Sequence, residues 1–169
     1  YEHVALNGQK GYHGVAIVSK LPFETQHIRT FCDKIDSRHI SVSFGEKAQL
    51  AKPLVLHNFY VPAGGDIPDP EENRKFLHKL DFLDRMADFY AARARKKSAP
   101  PLVLVGDLNV APLEADVWSH KQLLKIVSHT PVETDGQGSR TNQASRASST
   151  AGSARSRPRC LTMERVQPV

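Results

Sequence analysis

The stretch from Asp69 to Asn109 leaves this chain few folds to choose from. Asp69 can act as an N-cap, and Pro70 suits the first helical position, where its missing N–H has no helical partner. Glu71 and Glu72 favour the positive end of a helix dipole. Phe76, Leu80, Leu83, Ala87, Tyr90 and Ala94 recur at the spacing of one helical face, and Arg93, Arg95, Lys96 and Lys97 close the negative end. Ala99-Pro100-Pro101 stops the helix, because proline lacks the N–H and crowds the preceding turn. Leu102-Val103-Leu104-Val105 then reads as a fully buried strand, followed at once by Gly106-Asp107-Leu108-Asn109. A long amphipathic helix feeding such a strand requires helix layered on sheet, an α/β architecture.

The remaining body supplies more strands. Tyr1 to Leu6 is an apolar, strand-like run, and a chain opening there on Tyr rather than Met is expected to start inside a domain. Gly8-Gln9-Lys10-Gly11 reads as a turn before Gly14 to Ser19, which is β-branched and apolar like a buried strand. His39 to Phe44 alternates as a strand with one wet face, and Pro53 to Val61 reads as another strand. A loop rich in Gly, Pro and Asp spans Pro62 to Asp69, and a shorter helix is expected from near Pro112 through Trp118 to Val127. No apolar run approaches the roughly 18 residues of a membrane-spanning helix. Cys32 and Cys160 lack metal-ligand spacing, which predicts a reduced, cytoplasmic protein.

The formal net charge of +5 invites a nucleic-acid reading, but its location argues otherwise. Residues 135–169 hold six Arg against one Asp and one Glu, so most of the excess lies there. The body is nearly neutral, and overall basicity is no evidence for DNA binding. Asp135 to Pro158 has almost no large apolar side chain and no period, so 135–169 is expected to be a disordered Ser/Arg-rich tail separate from 1–134. Its composition is what out-of-frame reading of GC-rich DNA yields, and a frameshift near Thr134 is the expectation.

The chemistry concentrates at the end of the apolar strand. Asp107 and Asn109 stand two residues apart and so share a strand face, with Gly106 admitting a close approach. A carboxylate and an amide at the mouth of a sheet suit a metal, a proton or a polar substrate. The competing interpretation is a turn in which both side chains cap loop amides.

Gly106-Asp107-Leu108-Asn109-Val110-Ala111-Pro112 resembles the Gly-Asp-x-Asn-x-x-Pro segment of the endonuclease/exonuclease/phosphatase superfamily. Gly8 to Ala16 (Gly-Gln-Lys-Gly-Tyr-His-Gly-Val-Ala) and Asn58-Phe59-Tyr60-Val61-Pro62 resemble segments of its exonuclease III branch of AP endonucleases, in the same order. Trp118 to Lys121 and Ser128 to Pro131 resemble a bacterial part of that branch, and the likeness runs from Tyr1 to Glu133. It implies a deoxyribonuclease I-like fold, a two-sheet β-sandwich flanked by helices, represented here incompletely. It also implies a divalent-metal-dependent phosphodiesterase of DNA repair, an AP endonuclease and 3′–5′ exodeoxyribonuclease.

By that resemblance Asp107 orients or activates the attacking water. Asn109 positions Asp107 and hydrogen-bonds the scissile phosphate, and Tyr60 presents its hydroxyl to the same phosphate. Gln9, Lys10 and Gly11 line a DNA-facing rim, and Arg38 contributes similarly. Magnesium, or manganese, is held by Asp107 and Asn109. Double-stranded DNA with abasic sites or 3′ ends is the implied partner, with no membrane, for a monomer associated with a bacterial nucleoid. Ala63 departs from the pattern, standing where relatives carry an amide. His57, His120 and His129 are not at mutual metal-ligand spacing and are expected in strand, helix-surface and loop roles. The family's metal-binding Glu and its Ser-Asp-His motif are absent, so incision by this chain is expected to fall below easy detection. Two alternatives stand beside this interpretation. One is another phosphatase or phosphodiesterase of the superfamily, and the other is a non-catalytic nucleic-acid binder using the Arg-rich tail.

Overall fold

The computed structural model describes residues 1–134 and 164–168. They fall into two compact units: Tyr1–Val61 with Asp88–Leu108 and the described part of Leu161–Val169, and Pro62–Ala87 with the described part of Asn109–Cys160.

The first unit is a mixed α/β assembly of two sheets. Strands β1 (His3–Gly8) and β2 (Gly14–Ser19) pair antiparallel as a hairpin. The five-stranded sheet contains β3 (Thr25–Arg29), β4 (His39–Phe44), β5 (Leu54–Tyr60), β6 (Leu102–Asp107) and β7 (Glu164–Pro168), in the order β6-β5-β4-β3-β7. The β5–β6 pair is parallel and the other pairs are antiparallel. Ala5, Val15 and Ile17 from the hairpin share one core cluster with Phe23, Ile40, Val42, Phe44 and Ala48. Side-chain amides also link the sheets: Asn7 Nδ2 donates to His39 O at 2.9 Å, and Asn58 Nδ2 to Ala16 O at 2.8 Å.

Helix α1 (Arg74–Ala94) has its C-terminal part in this unit. There Phe89 and Tyr90 pack on a buried aromatic group of Phe31, His39, His57 and Phe59. His57 Nδ1 lies within hydrogen-bond distance of both His39 Nε2 (2.9 Å) and the Tyr90 hydroxyl (3.0 Å). Burial, reinforced by neighbouring positive charge, lowers His39 to about 2 and His57 to about 4, and burial pushes the Tyr90 phenol up.

The second unit holds the first turns of α1, the helical turns α2 (His120–Leu123) and α3 (Pro131–Thr134), and the loops between them. Phe76, Lys79 and Phe82 are the buried residues of α1.

Several sequence expectations change. The helix starts at Arg74, and Asn73 caps it by accepting from the Lys75 and Phe76 amides, while Asp69 shapes a preceding turn through the Glu71 amide. Asn73 also donates to Gly64 O and Ile67 O, a second set of bonds that Asp69 with Pro70 does not make. Strand β3 was not foreseen. Strand β4 is buried on both faces, because the β1–β2 hairpin and the aromatic group cover it from opposite sides. Strand β6 is an edge strand with Val103 and Val105 exposed, and β2 alternates, with Val18 exposed. An apolar run shows what can be buried; the layers decide what is. The expected helix from Pro112 to Val127 is instead a 3-10 turn at Glu114–Asp116 followed by α2. Five residues assigned by composition to the tail form β7 against the open edge of β3, whose unpaired backbone groups accept any compatible chain. The rest of the expected tail, and Cys160, lie outside the described residues, while Cys32 is buried. Among the described residues no helix is long and apolar enough to cross a membrane.

Candidate active site

Parallel pairing of β5 with β6 sets the geometry of the first unit's polar end. The register places Tyr60 opposite Asp107, and the Val61 amide donates to Asp107 O at 2.9 Å. Gly106 makes this register possible. Its φ is +123°, and a Cβ there would lie 2.7 Å from both Phe59 N and Asn58 Oδ1 and closer still to Phe59 O. The close approach expected at Gly106 is therefore made by the neighbouring strand's backbone. Asp107 is exposed rather than buried, so its carboxylate keeps access to solvent and ligands.

Arg38 stands behind Tyr60. The Tyr60 amide donates to Arg38 O at 2.9 Å, and Arg38 Nη1 donates to Tyr60 O at 3.1 Å. The guanidinium lies 5.1 Å from the Tyr60 ring centroid, and its Nε donates to Asp36 at 2.5 Å. Arg38 Nη2 is 3.2 Å from His13 Nε2, which must accept because a guanidinium cannot. His13, at φ 72°, packs its ring on Tyr60 at a centroid distance of 5.7 Å. Among the described residues, no group hydrogen-bonds the Tyr60 hydroxyl, so Arg38 and His13 fix the ring while its polar tip stays open.

The loop from Gly8 to Gly14 carries the expected rim. Gln9, Lys10 and Gly11 are all exposed, and Gln9 Oε1 accepts from the Ser37 amide at 3.3 Å, anchoring the loop near the start of β4. Thus Gln9, Arg38, Tyr60 and Asp107 all belong to one unit, and Arg38 is linked directly to Tyr60.

Asn109 follows Asp107 by two residues along the chain and belongs to the second unit. Its φ of 50° is left-handed, a conformation asparagine tolerates better than most residues. Lys79, fully buried, donates to Asn109 O at 2.6 Å and pairs with Glu133 at 2.5 Å. Glu133 in turn accepts from the Ser128 and Thr130 amides and the Thr130 hydroxyl. His129 Nδ1 donates to Ala111 O at 2.7 Å, and its Nε2 contacts His120 Nδ1 at 2.9 Å, so these histidines form a chain bracing the loop after Asn109.

His13, Lys79 and Glu133 were missed in the sequence. Lys79 sits three residues from both Phe76 and Phe82, on the apolar face, where a charge needs a buried partner. Thr130 and Glu133 have the capping-box spacing that could have pointed to that partner. His13 carries no comparable signal.

The exposed Asp107 at the end of a strand, with Tyr60 held beside it on the adjoining strand, defines the polar end of a mixed α/β unit. Residues 1–166 match the Endonuclease/Exonuclease/phosphatase family, and the chain belongs to that family. This match extends beyond Glu133, where the motif resemblance ends. Among solved structures, the chain is similar to the 3′ phosphatase NExo from Neisseria bound to a product DNA hairpin: 25% identity, TM-score 0.59, covering 79% of this chain and 48% of that one. It is similar to the 3′–5′ exonuclease NExo from Neisseria meningitidis at 26% identity and TM-score 0.60, covering 79% and 48%. An AP endonuclease from Archaeoglobus fulgidus is similar at 26% identity and TM-score 0.59, covering 84% and 50%. The chain thus spans about half the length of each of these structures.

Proposed function

We propose that this chain carries part of the active site of a DNA-processing phosphodiesterase of the AP endonuclease and 3′–5′ exonuclease type, on a two-sheet sandwich. The observation that carries this interpretation is the pairing of Tyr60 with Asp107 across adjacent parallel strands, with Asn109 two residues on. Asp107 takes the proton of the attacking water and directs it at phosphorus. The Tyr60 hydroxyl and the Asn109 amide donate to the non-bridging phosphate oxygens, stabilising the charge that develops there. Gln9, Lys10 and Gly11 contact the backbone of duplex DNA, at abasic sites or 3′ ends. Arg38 holds Tyr60 in place, with three of its five N–H donors on Asp36, Tyr60 O and His13, and contributes to the same rim. Removal of a 3′ phosphate would use the same donors, and a neighbour with that activity favours it as a second reaction.

Among the described residues no three His, Cys, Asp or Glu side chains gather as a metal cage. Asp107 and Asn109, a carboxylate and an amide oxygen, are the side chains that would hold a magnesium or manganese ion. When bound, such an ion would neutralise the leaving 3′-oxygen.

The test is single-turnover incision of a duplex containing an abasic-site analogue at saturating chain, with magnesium or with EDTA. Slow, magnesium-dependent incision should fall at least about 100-fold in Asp107→Ala. In parallel, Lys10→Ala should weaken duplex binding and flatten its salt dependence. Incision indifferent to both Asp107→Ala and EDTA, or no measurable affinity for the duplex, would refute the proposal.

A further inference from the structure

Lys79 is the least expected residue of α1: an ammonium with no exposure on a face otherwise buried through Phe76 and Phe82. Removing both charges of such a pair from water is costly, and a well-packed apolar pair is often no less stable. Packing alone therefore gives no reason for a lysine here. What the charge adds is capture of specific acceptors. Nζ lies 2.5 Å from Glu133 Oε1, 2.6 Å from Asn109 O, 3.2 Å from Ser128 Oγ and 3.3 Å from Ala63 O.

These acceptors follow a pattern. Asn109 (φ 50°) and Ser128 (φ 84°) are the two non-glycine residues of the second unit held in left-handed backbone among the described residues. Both are held by the pair: Asn109 through its carbonyl on Lys79, and Ser128 through its amide on Glu133 and its hydroxyl on Lys79. The Ala111 amide donates to Ser128 O at 2.8 Å, tying the two loops directly. Gly64 leaves room for the lysine stem, since a Cβ there would come within 2.8 Å of Lys79 Cδ.

We infer that the buried Lys79–Glu133 pair is a positioning latch that fixes the peptide of Asn109, and with it the direction of the Asn109 amide toward substrate. The inference rests on the proposed role of Asn109 at the scissile phosphate. Lys79 and Glu133 touch no reacting atom; they act through the loop.

Breaking the pair singly would leave a buried charge and could unfold the unit, so the test uses the neutral double variant Lys79→Met with Glu133→Leu, and Lys79→Arg as the conservative one. Thermal unfolding checks that each folds. Amide hydrogen exchange at Ala111 and the NMR shift of the Asn109 side-chain amide report the loop whether or not incision is measurable. Asn109→Ala provides the functional reference in single-turnover incision. The expected result for the folded double variant is at least about a 10-fold loss of exchange protection at Ala111 with a moved Asn109 amide signal. The single-turnover rate should fall about 10- to 100-fold, with affinity for the abasic duplex changed less than about 3-fold. Lys79→Arg, which keeps the charge, should restore part of both. A folded double variant with unchanged exchange at Ala111 overturns the latch. So does an unchanged incision rate where Asn109→Ala loses it. If Asn109→Ala leaves incision intact, the role of Asn109 at the phosphate fails, and the exchange result still decides the latch.

Discussion

Replacing Gly106 by alanine should damage this protein more than any other single methyl group added to the first unit. The added Cβ would meet Phe59 O, with Phe59 N and Asn58 Oδ1 at 2.7 Å, and two of these three are backbone atoms of the adjoining strand that no rotamer change can move. At φ +123° an L side chain also sits in backbone space that only glycine occupies easily, a cost of about 1–3 kcal/mol. Relieving the overlap means prising β6 from β5, adding about 1–3 kcal/mol of overpacking strain. The Val61 amide's bond to Asp107 O, worth about 1 kcal/mol, goes with it. A total of about 3–7 kcal/mol corresponds to a drop of roughly 6–28 °C in unfolding midpoint for a domain of this size. The assay is thermal unfolding by circular dichroism, with Gly45→Ala beside it. At Gly45, φ is −133° and the added methyl meets only the carboxylate end of Glu24, which can swing away. Gly45→Ala should therefore shift the midpoint little. Equal shifts in the two variants would refute the assignment of Gly106 as the residue that permits the β5–β6 register.

Two further predictions concern polar side chains. His39 and His57 are neutral in the fold, lowered to about 2 and about 4, whereas the unfolded chain takes up protons at both below about pH 6.5. Their contribution is therefore fully present above pH 6.5 and is lost as pH falls, through about 4 for His57 and on toward 2 for His39, at up to about 1.4 kcal/mol per pH unit for each. Denaturant titrations across pH 7 to 4 test this, and a stability that does not decline would refute it. Asn73→Ala should destabilise by about 1–2 kcal/mol through loss of the α1 cap, and more through the bonds to Gly64 O and Ile67 O. Asp69→Ala, which removes only a turn contact, should cost less; the reverse order would return the cap to Asp69.

Elements whose cause is local were legible in the sequence. Residues 74–94 are helical because their apolar side chains keep the 3.6 period and prolines close the far end. Residues 14–19, 39–44 and 54–60 are strands because β-branched and aromatic residues alternate there. The placing of Asp107 at the end of an apolar strand, and of Asn109 two residues on, was readable for the same reason. Tertiary structure decided whatever depends on which surfaces meet. It selected Asn73 over Asp69 as cap, because Asn73 alone also reaches two loop carbonyls. It made β6 a half-exposed edge and β4 a strand buried on both faces, because burial belongs to layers and not to apolar runs. It set Arg38 behind Tyr60, because strand pairing brings residues 22 positions apart side by side. Lys79 states the physical reason most fully: a charge on an apolar helical face is tolerable only once chain 30 to 54 residues away returns with Asn109 O, Ser128 Oγ and the Glu133 carboxylate.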